Sequence, residues 1–435
     1  MPNHIPSIGR RLALAVAISA TCGSAHAAGF ALIEQSASGM GNAFAGAAAI
    51  ADDASTVWFN PAGMTRLGKD QVVVAAHYIA PEAEFTNDGS QLGTGAPLVG
   101  TDGSTSGKTD EVGIVGNFYY VRDLGDDAKF GLGINTPFGL SSKYDSNWIG
   151  RYHAINSEIM TLNINPSLAS KVTDKLSLGV GFNVQYIQAE LSSTVFDGTQ
   201  EGVATIEGDG ISFGANFGLL YEYSERSRIG IAYRSKVAHN LDGDAKFDGV
   251  NQIPSPLGGN LYVDTDASAG VDLPQMASLS YVRDMNDRLT LLADVTWTGW
   301  SSFDELRVSY DNAGQPDSVT TEDWEDTWRY SVGMNYRYSD ALTLRAGVAY
   351  DEEPIPSAER RTARIPGNDR TWLALGFGYA PSADLQFDFG YAHLFVKDAD
   401  IDNTLETLNP AANHTLSGSY EAEVDIFSAQ VTWKF

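Results

Sequence analysis

The sequence predicts an all-β membrane fold: a fourteen-stranded antiparallel transmembrane β-barrel with a small helical N-terminal hatch (plug) inside the lumen. Three observations carry this expectation. From about Gln71 onward apolar and polar residues alternate with period two. The connections between the alternating runs switch between short and long. No run beyond the N-terminus approaches the ~20 apolar residues that a spanning helix needs.

Residues 1–27 read as a secretory signal peptide, because Arg10 and Arg11 precede the apolar run 12–20 and Ala25-His26-Ala27 supplies a small-residue cleavage site. Cys22 is the only cysteine and leaves with that segment, so the mature chain is expected to carry no disulfide and no thiol chemistry. A lipoprotein signal is the alternative, and Ser19-Ala20-Thr21 lacks the Leu-like residue such a signal uses. The formal charge of -27 repels phosphates, which excludes a nucleic-acid partner.

Residues 28–69 differ from the rest. They are rich in Ala, Gly and Ser, lack alternation, and carry local helix signals: Asp52 or Asp53 can cap a turn leading into residues 54–59, and Asn60 followed by Pro61 supplies a cap and a first-turn proline. Gly39-Met40-Gly41 has Phe44 where a phosphate loop would place its third glycine, and no strand precedes it, so nucleotide binding is disfavoured. A disordered leader is the competing reading. Against it stand Phe30, Leu32, Ile33, Phe44, Trp58, Phe59 and Met64, more apolar bulk than a solvated leader needs.

Residues 70–435 are the expected barrel. The last run shows the alternation plainly, with Phe427, Ala429, Val431, Trp433 and Phe435 against Ser428, Gln430, Thr432 and Lys434. A soluble sandwich would bury the apolar face, whereas a membrane barrel turns it to lipid and lines its lumen with the polar one. The connections decide. Short turns at 123–128, 173–174, 224–227, 284–287, 339–340 and 381–383 alternate with long loops near 81–110, 139–157, 191–208, 240–273, 301–325, 351–370 and 397–421. Aromatics near strand ends suit two interfacial girdles, with Tyr221, Tyr223, Tyr336, Tyr338, Trp433 and Phe435 on the short-turn rim and Trp297 and Trp300 opposite.

The ordered set Ala28-Gly29-Phe30, Ser38-Gly39-Met40-Gly41 with Gly46, Ile50-Ala51-Asp52-Asp53-Ala54 and Asn60-Pro61-Ala62 resembles the hatch of the outer-membrane long-chain fatty acid and hydrocarbon transporters of the FadL/TodX type. Thr136-Pro137-Phe138-Gly139-Leu140 and Trp148-Ile149-Gly150-Arg151-Tyr152 are similar to further segments of that family. The resemblance implies that Gly39, Gly41, Gly46, Asp52, Asp53, Asn60, Pro61 and Ala62 build the hatch of a fourteen-stranded barrel in the outer membrane of a Gram-negative bacterium. It implies passage of long-chain fatty acids or similar hydrophobic compounds, captured at extracellular loops, held beside the hatch, and released through the wall at a kinked third strand. That strand, residues 130–138, offers Gly131, Gly133, Pro137 and Phe138 as a lateral gate; a proline that merely ends the strand is the open alternative.

Ala28, Phe30, Leu32 and Phe44 are the candidate apolar contacts to cargo. A carboxylate would favour a buried arginine, and parity turns Arg234, Arg329, Arg337 and Arg345 inward, with Arg151 on a loop. Each of these equally suits a lumenal ion pair, for example with Asp388, which keeps a neutral hydrocarbon cargo open. No cofactor, metal site or catalytic residue is expected. Expected partners are hydrophobic small molecules, outer-membrane lipids and lipopolysaccharide, and the barrel assembly machinery through Phe435. Two rivals remain: a lipid hydrolase using one of His77, His153, His239, His393 or His414, and a porin for polar solutes, which the missing alternation in residues 28–67 opposes.

Overall fold

The computed structural model describes residues 29–435; the signal-peptide reading and the Ala28 contact lie outside the described residues. Beyond the hatch the chain forms one closed antiparallel barrel of fourteen strands. The first seven are β1 (Gln71–Asn87), β2 (Gly113–Gly125), β3 (Ala128–Asn135, resuming at Gly139–Lys143), β4 (Asn156–Thr173), β5 (Leu176–Phe196), β6 (Glu201–Ser224) and β7 (Ser227–Arg234, resuming at Val237–Asp248). The second seven are β8 (Thr265–Leu273 and Met276–Asp284), β9 (Leu289–Thr298, then Glu305–Tyr310), β10 (Thr327–Arg337), β11 (Leu342–Asp351), β12 (Arg370–Tyr379), β13 (Leu385–Val396, then Ala399–Leu405) and β14 (His414–Lys434). β1 closes on β14 without interruption from Gln71↔Lys434 to Asn87↔Gly418, which removes the sheet edges that lipid cannot solvate.

Alternation sets which face is which. On β10, Trp328, Tyr330, Val332, Met334 and Tyr336 point to lipid while Arg329, Ser331 and Asn335 are buried inside. Two expectations from sequence change. The stretches 191–208 and 240–273, expected as long loops, are largely strand: β5 and β6 run on to a turn at 197–200, and the upper parts of β7 and β8 pair from Val237↔Leu273 to Ala245↔Thr265. Their outer faces carry Asp242, Asp244 and Lys246, because these strands stand above the membrane where a polar exterior is needed, and this hides the lipid-barrel signature. Trp300 also leaves the girdle. The short 3₁₀ turn Trp300–Ser302 interrupts β9, and Trp300 is 1% exposed in the interior, while Trp297 keeps its outward place.

The hatch consists of α1 (Ala37–Met40), α2 (Ala47–Ile50), α3 (Thr56–Phe59) and a 3₁₀ turn, Pro61–Arg66. Each piece is one turn long, too short to stand alone, so the wall must hold it. The Ser36 hydroxyl caps α1 by accepting from the Gly39 N–H (3.1 Å), and the Asn60 side chain accepts from Ala62 N–H (3.0 Å) ahead of Pro61. Asn60 Nδ2 also donates to Ala48 O (2.6 Å) and to Leu219 O on β6 (3.0 Å), tying hatch to barrel. Asp53 accepts from Ser55 N–H (2.9 Å), from the Ser38 hydroxyl (2.7 Å) and from Gln430 Nε2 on β14 (2.9 Å). Asp52 borders a small void with Arg345 under the hatch. Gly46 takes the left-handed conformation (φ 71°) at the start of α2. Gly41 packs against Gly376 of β12, and Gly347 of β11 sits directly beneath the Asn42 backbone, where a Cβ has no room.

The Gly347→Val variant is therefore expected to loosen the hatch by about 1–3 kcal/mol through overpacking. Limited proteolysis should cut within residues 37–66 faster than in the parent, while the barrel keeps its heat-modifiable mobility on gels. Equal cleavage rates would show that the close approach does not hold the hatch.

Candidate functional site

The wall is interrupted at β3. Its ladder to β2 ends at Phe118↔Ile134, so residues 113–117 of β2 pair with β1 but have no β3 partner. Its ladder to β4 stops at Asn135↔Asn163 and resumes at Gly139↔Met160, an extra residue on the β3 side. Pro137, which has no N–H to give a ladder, lies in this bulge.

The N-terminal segment, residues 30–35, supplies the missing partners. Leu32 N–H donates to Pro137 O (2.8 Å), and Gly139 N–H donates to Phe30 O (2.9 Å). Gln35 donates through Nε2 to Thr136 O (3.0 Å), and its Oε1 accepts from Asn135 Nδ2 (2.7 Å). Asn117 Nδ2 donates to Glu34 O (2.9 Å), and the Tyr119 hydroxyl donates to Gln35 O (3.1 Å). This strap spans the unpaired edge from both sides. Phe138 lies within the break, its N–H donating to the Thr161 hydroxyl (3.0 Å), whereas Gly131 and Gly133 lie in the regularly paired part of β3 and make room for Met64 and Val57 of the hatch.

Two cavities lie on either side of the strap. The inner one, about 110 Å³, is walled by Leu32, Phe44, Trp58, Phe59, Arg234 and Arg329. The outer one, about 80 Å³, is almost wholly apolar, with Leu140, Ile159, Leu191, Leu241, Val271 and Ile365 around it. Phe30 separates them. Its ring centroid lies 5.0 Å from Trp300, 5.7 Å from Phe303, 5.8 Å from Trp324 and 6.1 Å from Phe138. A dry cavity of about 150 Å³ holds one benzene, so neither void admits a long chain until this aromatic septum moves.

The five candidate arginines divide. Arg234 faces the inner cavity, donating to Asn183 Oδ1 (2.6 Å) and Trp58 O (3.0 Å) and stacking 3.6 Å over the Trp58 ring. Arg329 faces the same cavity, donating through Nη2 to Ala43 O (3.0 Å) with its carbon centre 5.0 Å from the Trp372 ring. Its Nε and Nη1 are buried and have no hydrogen-bond partner among the described residues. Arg345 sits under the hatch in a buried ion pair with Asp388 (2.7 Å). Arg151 lies among the long loops, held by Glu201 in two bonds (3.0 and 2.7 Å) and by Val99 O (3.0 Å). Arg337 is exposed at the short-turn rim.

Sequence reasoning missed Glu34. It is 2% exposed, its Oε2 has no partner, and burial raises its carboxyl to about 7 against the pull of its own backbone N–H and of Arg329 and Arg370. The available signal was its isolation, since it is the only charged residue in 28–51. Asp351 and Asp294, on the cavity wall beside Arg329, were also missed; Asp294 is occupied by the Ser280 and Thr296 hydroxyls.

The hydrolase rival gains one Ser/His contact, His77 Nδ1 to Ser428 Oγ at 2.7 Å. Asn117 Nδ2 donates to His77 Nε2 (3.1 Å) and to Glu34 O, so the remaining ring proton sits on Nδ1 and points at the serine. The serine accepts rather than gives a proton, which is the wrong polarity for a nucleophile.

Residues 18–435 match the model of the family described as outer membrane protein transport protein (OMPP1/FadL/TodX). The long-chain fatty acid transport protein of Escherichia coli O6:H1 is 30% identical over 411 residues, covering 88% of this chain and 90% of that one. Outer membrane protein P1 of Haemophilus influenzae is 30% identical over 466 residues, covering 97% and 98%. Among solved structures a Pseudomonas aeruginosa FadL homologue superposes with a TM-score of 0.84 at 27% identity, covering 94% of this chain and all of the other. The toluene transporter TodX of P. putida, at 18% identity, a TM-score of 0.69 and coverage of 88% and 94%, shares the fold. With its closed barrel, its hatch and its strap across a broken third strand, the chain is an outer-membrane member of the OMPP1/FadL/TodX family of transport proteins.

Proposed function

We propose that the protein is a passive channel for long-chain fatty acids, taken up from outside the cell and released sideways into the membrane at the β3 break. The observation that carries the cargo assignment is Arg329, a buried guanidinium with two N–H groups unmatched, beside an apolar cavity. Such a donor favours a carboxylate with an alkyl tail, since a charge-assisted hydrogen bond is worth about 1.5–3 kcal/mol. The E. coli relatives named as long-chain fatty acid transport proteins point the same way.

The route follows from the layout. Cargo enters the outer apolar cavity, and displacement of Phe30 joins it to the inner one. Withdrawal of residues 30–35 then uncovers the unpaired edges of β2 and β3. The strap's six hydrogen bonds to the wall amount to roughly 6 kcal/mol at about 1 kcal/mol each. Desolvating about eight methylenes would offset that.

Uptake of aromatic or aliphatic hydrocarbons is the second reading. The four rings around Phe30 favour it, because they form a surface on which an aromatic guest stacks without any charge partner.

Cells lacking the protein are expected to lose uptake of labelled oleate. Unchanged uptake of both oleate and toluene would end the transport reading. In Arg329→Met, oleate uptake should fall about tenfold or more while toluene uptake stays within about twofold; equal losses for both would assign Arg329 a structural role. Replacing residues 136–138 by two β-formers, which restores pairing of β3, should slow uptake without unfolding the barrel. Normal uptake by that variant would exclude a sideways exit.

A further inference from the structure

The wall is interrupted a second time, between β8 and β9. These strands pair from Ala267↔Tyr310 to Ala269↔Val308 and again from Met276↔Thr298 to Asp284↔Thr290. Between the two ladders residues 270–275 of β8 lie opposite residues 299–307 of β9, six against nine. Among the described residues one backbone hydrogen bond joins them there, from Gly299 N–H to Gln275 O (2.9 Å). The longer side is held from behind. Glu305 pairs with Thr321, and the Glu322 and Asp323 N–H groups donate to Asp304 O (2.8 and 2.9 Å).

The gap is an open notch of about 720 Å³ on the outer surface. Leu241, Ser268, Ala269 and Phe303 line both the notch and the outer apolar cavity, so a single layer of side chains divides the two. Phe303 is the largest of them, and its ring lies 5.7 Å from Phe30 and 4.9 Å from Trp324. The axial mouth, by contrast, is packed shut. Phe85, Tyr144, Trp148, Ile149 and Tyr420 form one buried cluster, with Tyr144 stacked 4.1 Å on Trp148 and its hydroxyl donating to Ala363 O (2.8 Å). Ala363 belongs to that cluster while Thr362, Arg364 and Ile365 line the outer cavity, so this loop roofs the cavity from above.

Height in the membrane is set by register. Tyr233, Ala277, Trp297 and Trp328 stand in one row across β7, β8, β9 and β10, and such aromatics mark the boundary between lipid and water. The gap begins two residues above that row, at Gln275 and Gly299, which puts the notch at the level of the outer-leaflet head groups.

We propose that this notch is the entrance for cargo: a fatty acid lying among the outer-leaflet head groups passes its tail between β8 and β9, past Phe303, into the outer cavity. The inference rests on the fatty acid reading above and adds to it the door by which that cargo arrives. Asp242, Asp272, Asp304 and Glu305 on the rim outnumber Arg307, which Glu305 holds in two bonds (2.8 and 3.2 Å). An anionic head group is repelled there and stays in water while the tail goes in first. Entry and exit then use different parts of the wall, with the Phe30 cluster between them.

Cys22, the only cysteine in the sequence, falls in the segment read as a signal peptide, so Gly270→Cys places a single thiol in the notch. A Cβ at that position meets no atom within 4 Å. The full chain is made in cells lacking the native protein, and the thiol is capped from outside with dansylaminoethyl methanethiosulfonate, which dithiothreitol removes. Capping should slow uptake of labelled oleate at least about fivefold, since tail and label cannot share the notch, and dithiothreitol should restore it to within about twofold. Ser268→Cys, the neighbouring outward position, should behave alike and replaces Gly270→Cys if that chain assembles poorly. Leu408→Cys, exposed on the loop between β13 and β14, should be capped without effect. Oleate uptake unchanged by capping in the notch overturns the inference, as does an equal loss from capping at the loop. A notch thiol that takes no label shows the gap closed and overturns it too. If uncapped cells take up toluene but not oleate, the fatty acid reading falls, and the entrance is judged on toluene by the same criterion. Uptake of neither above that of cells lacking the protein ends both.

Discussion

In a bilayer no water is present to satisfy an unpaired peptide group, and this constraint shapes everything else in the molecule. It explains the seamless β1 to β14 closure, and it makes the β3 bulge the anomaly that needs an account. The unpaired stretch persists because residues 30–35 donate and accept in place of the absent ladder. The break and its cover belong together: the wall departs from regular pairing where a segment of the same chain serves as a surrogate strand.

A second constraint acts inside, where a charge is tolerated only if matched. Arg345 and Asp388 meet at 2.7 Å with almost no exposure and form a fixed support beneath the hatch. Arg329 has a different surround: Asp294 and Asp351 share its cavity wall, and its Nε and Nη1 have no hydrogen-bond partner among the described residues. A fixed ion pair stiffens the lumen, whereas a guanidinium on a cavity wall keeps donors in reserve.

Barrel architecture was legible because it is periodic. Lipid on one face and water on the other impose alternation on every strand, and the short turns mark one rim. The failures arose where that cause stops. Above the membrane both faces of β7 and β8 answer to water or to packed loops, so Asp242 and Asp244 read as loop although they lie on strand. Trp300 was placed in a girdle by parity, which the 3₁₀ turn beside it resets. Parity did turn Arg234, Arg329 and Arg345 inward, but which of them faces the cavity depends on where the hatch packs, a matter of contacts some 300 residues apart such as Ala43 with Arg329. Glu34 stood out in the sequence only as a lone charge in 28–51; that it is buried depends on where residues 30–35 pack against the wall.

Three features fall on one short segment, and their order along it matters. Phe30 lines the outer cavity within its aromatic cluster, Leu32 and Gln35 bond to the β3 break, and Glu34 between them carries a buried carboxyl. A residue is about 3.3 Å long when extended, so these points span less than the length of a fatty acid, and the segment has no helix of its own in which to absorb a displacement. The ring of Phe30 and the bonds over the β3 break are joined by a few residues of extended chain, so a displacement of Phe30 is passed to the Leu32 and Gln35 bonds with no hinge between them.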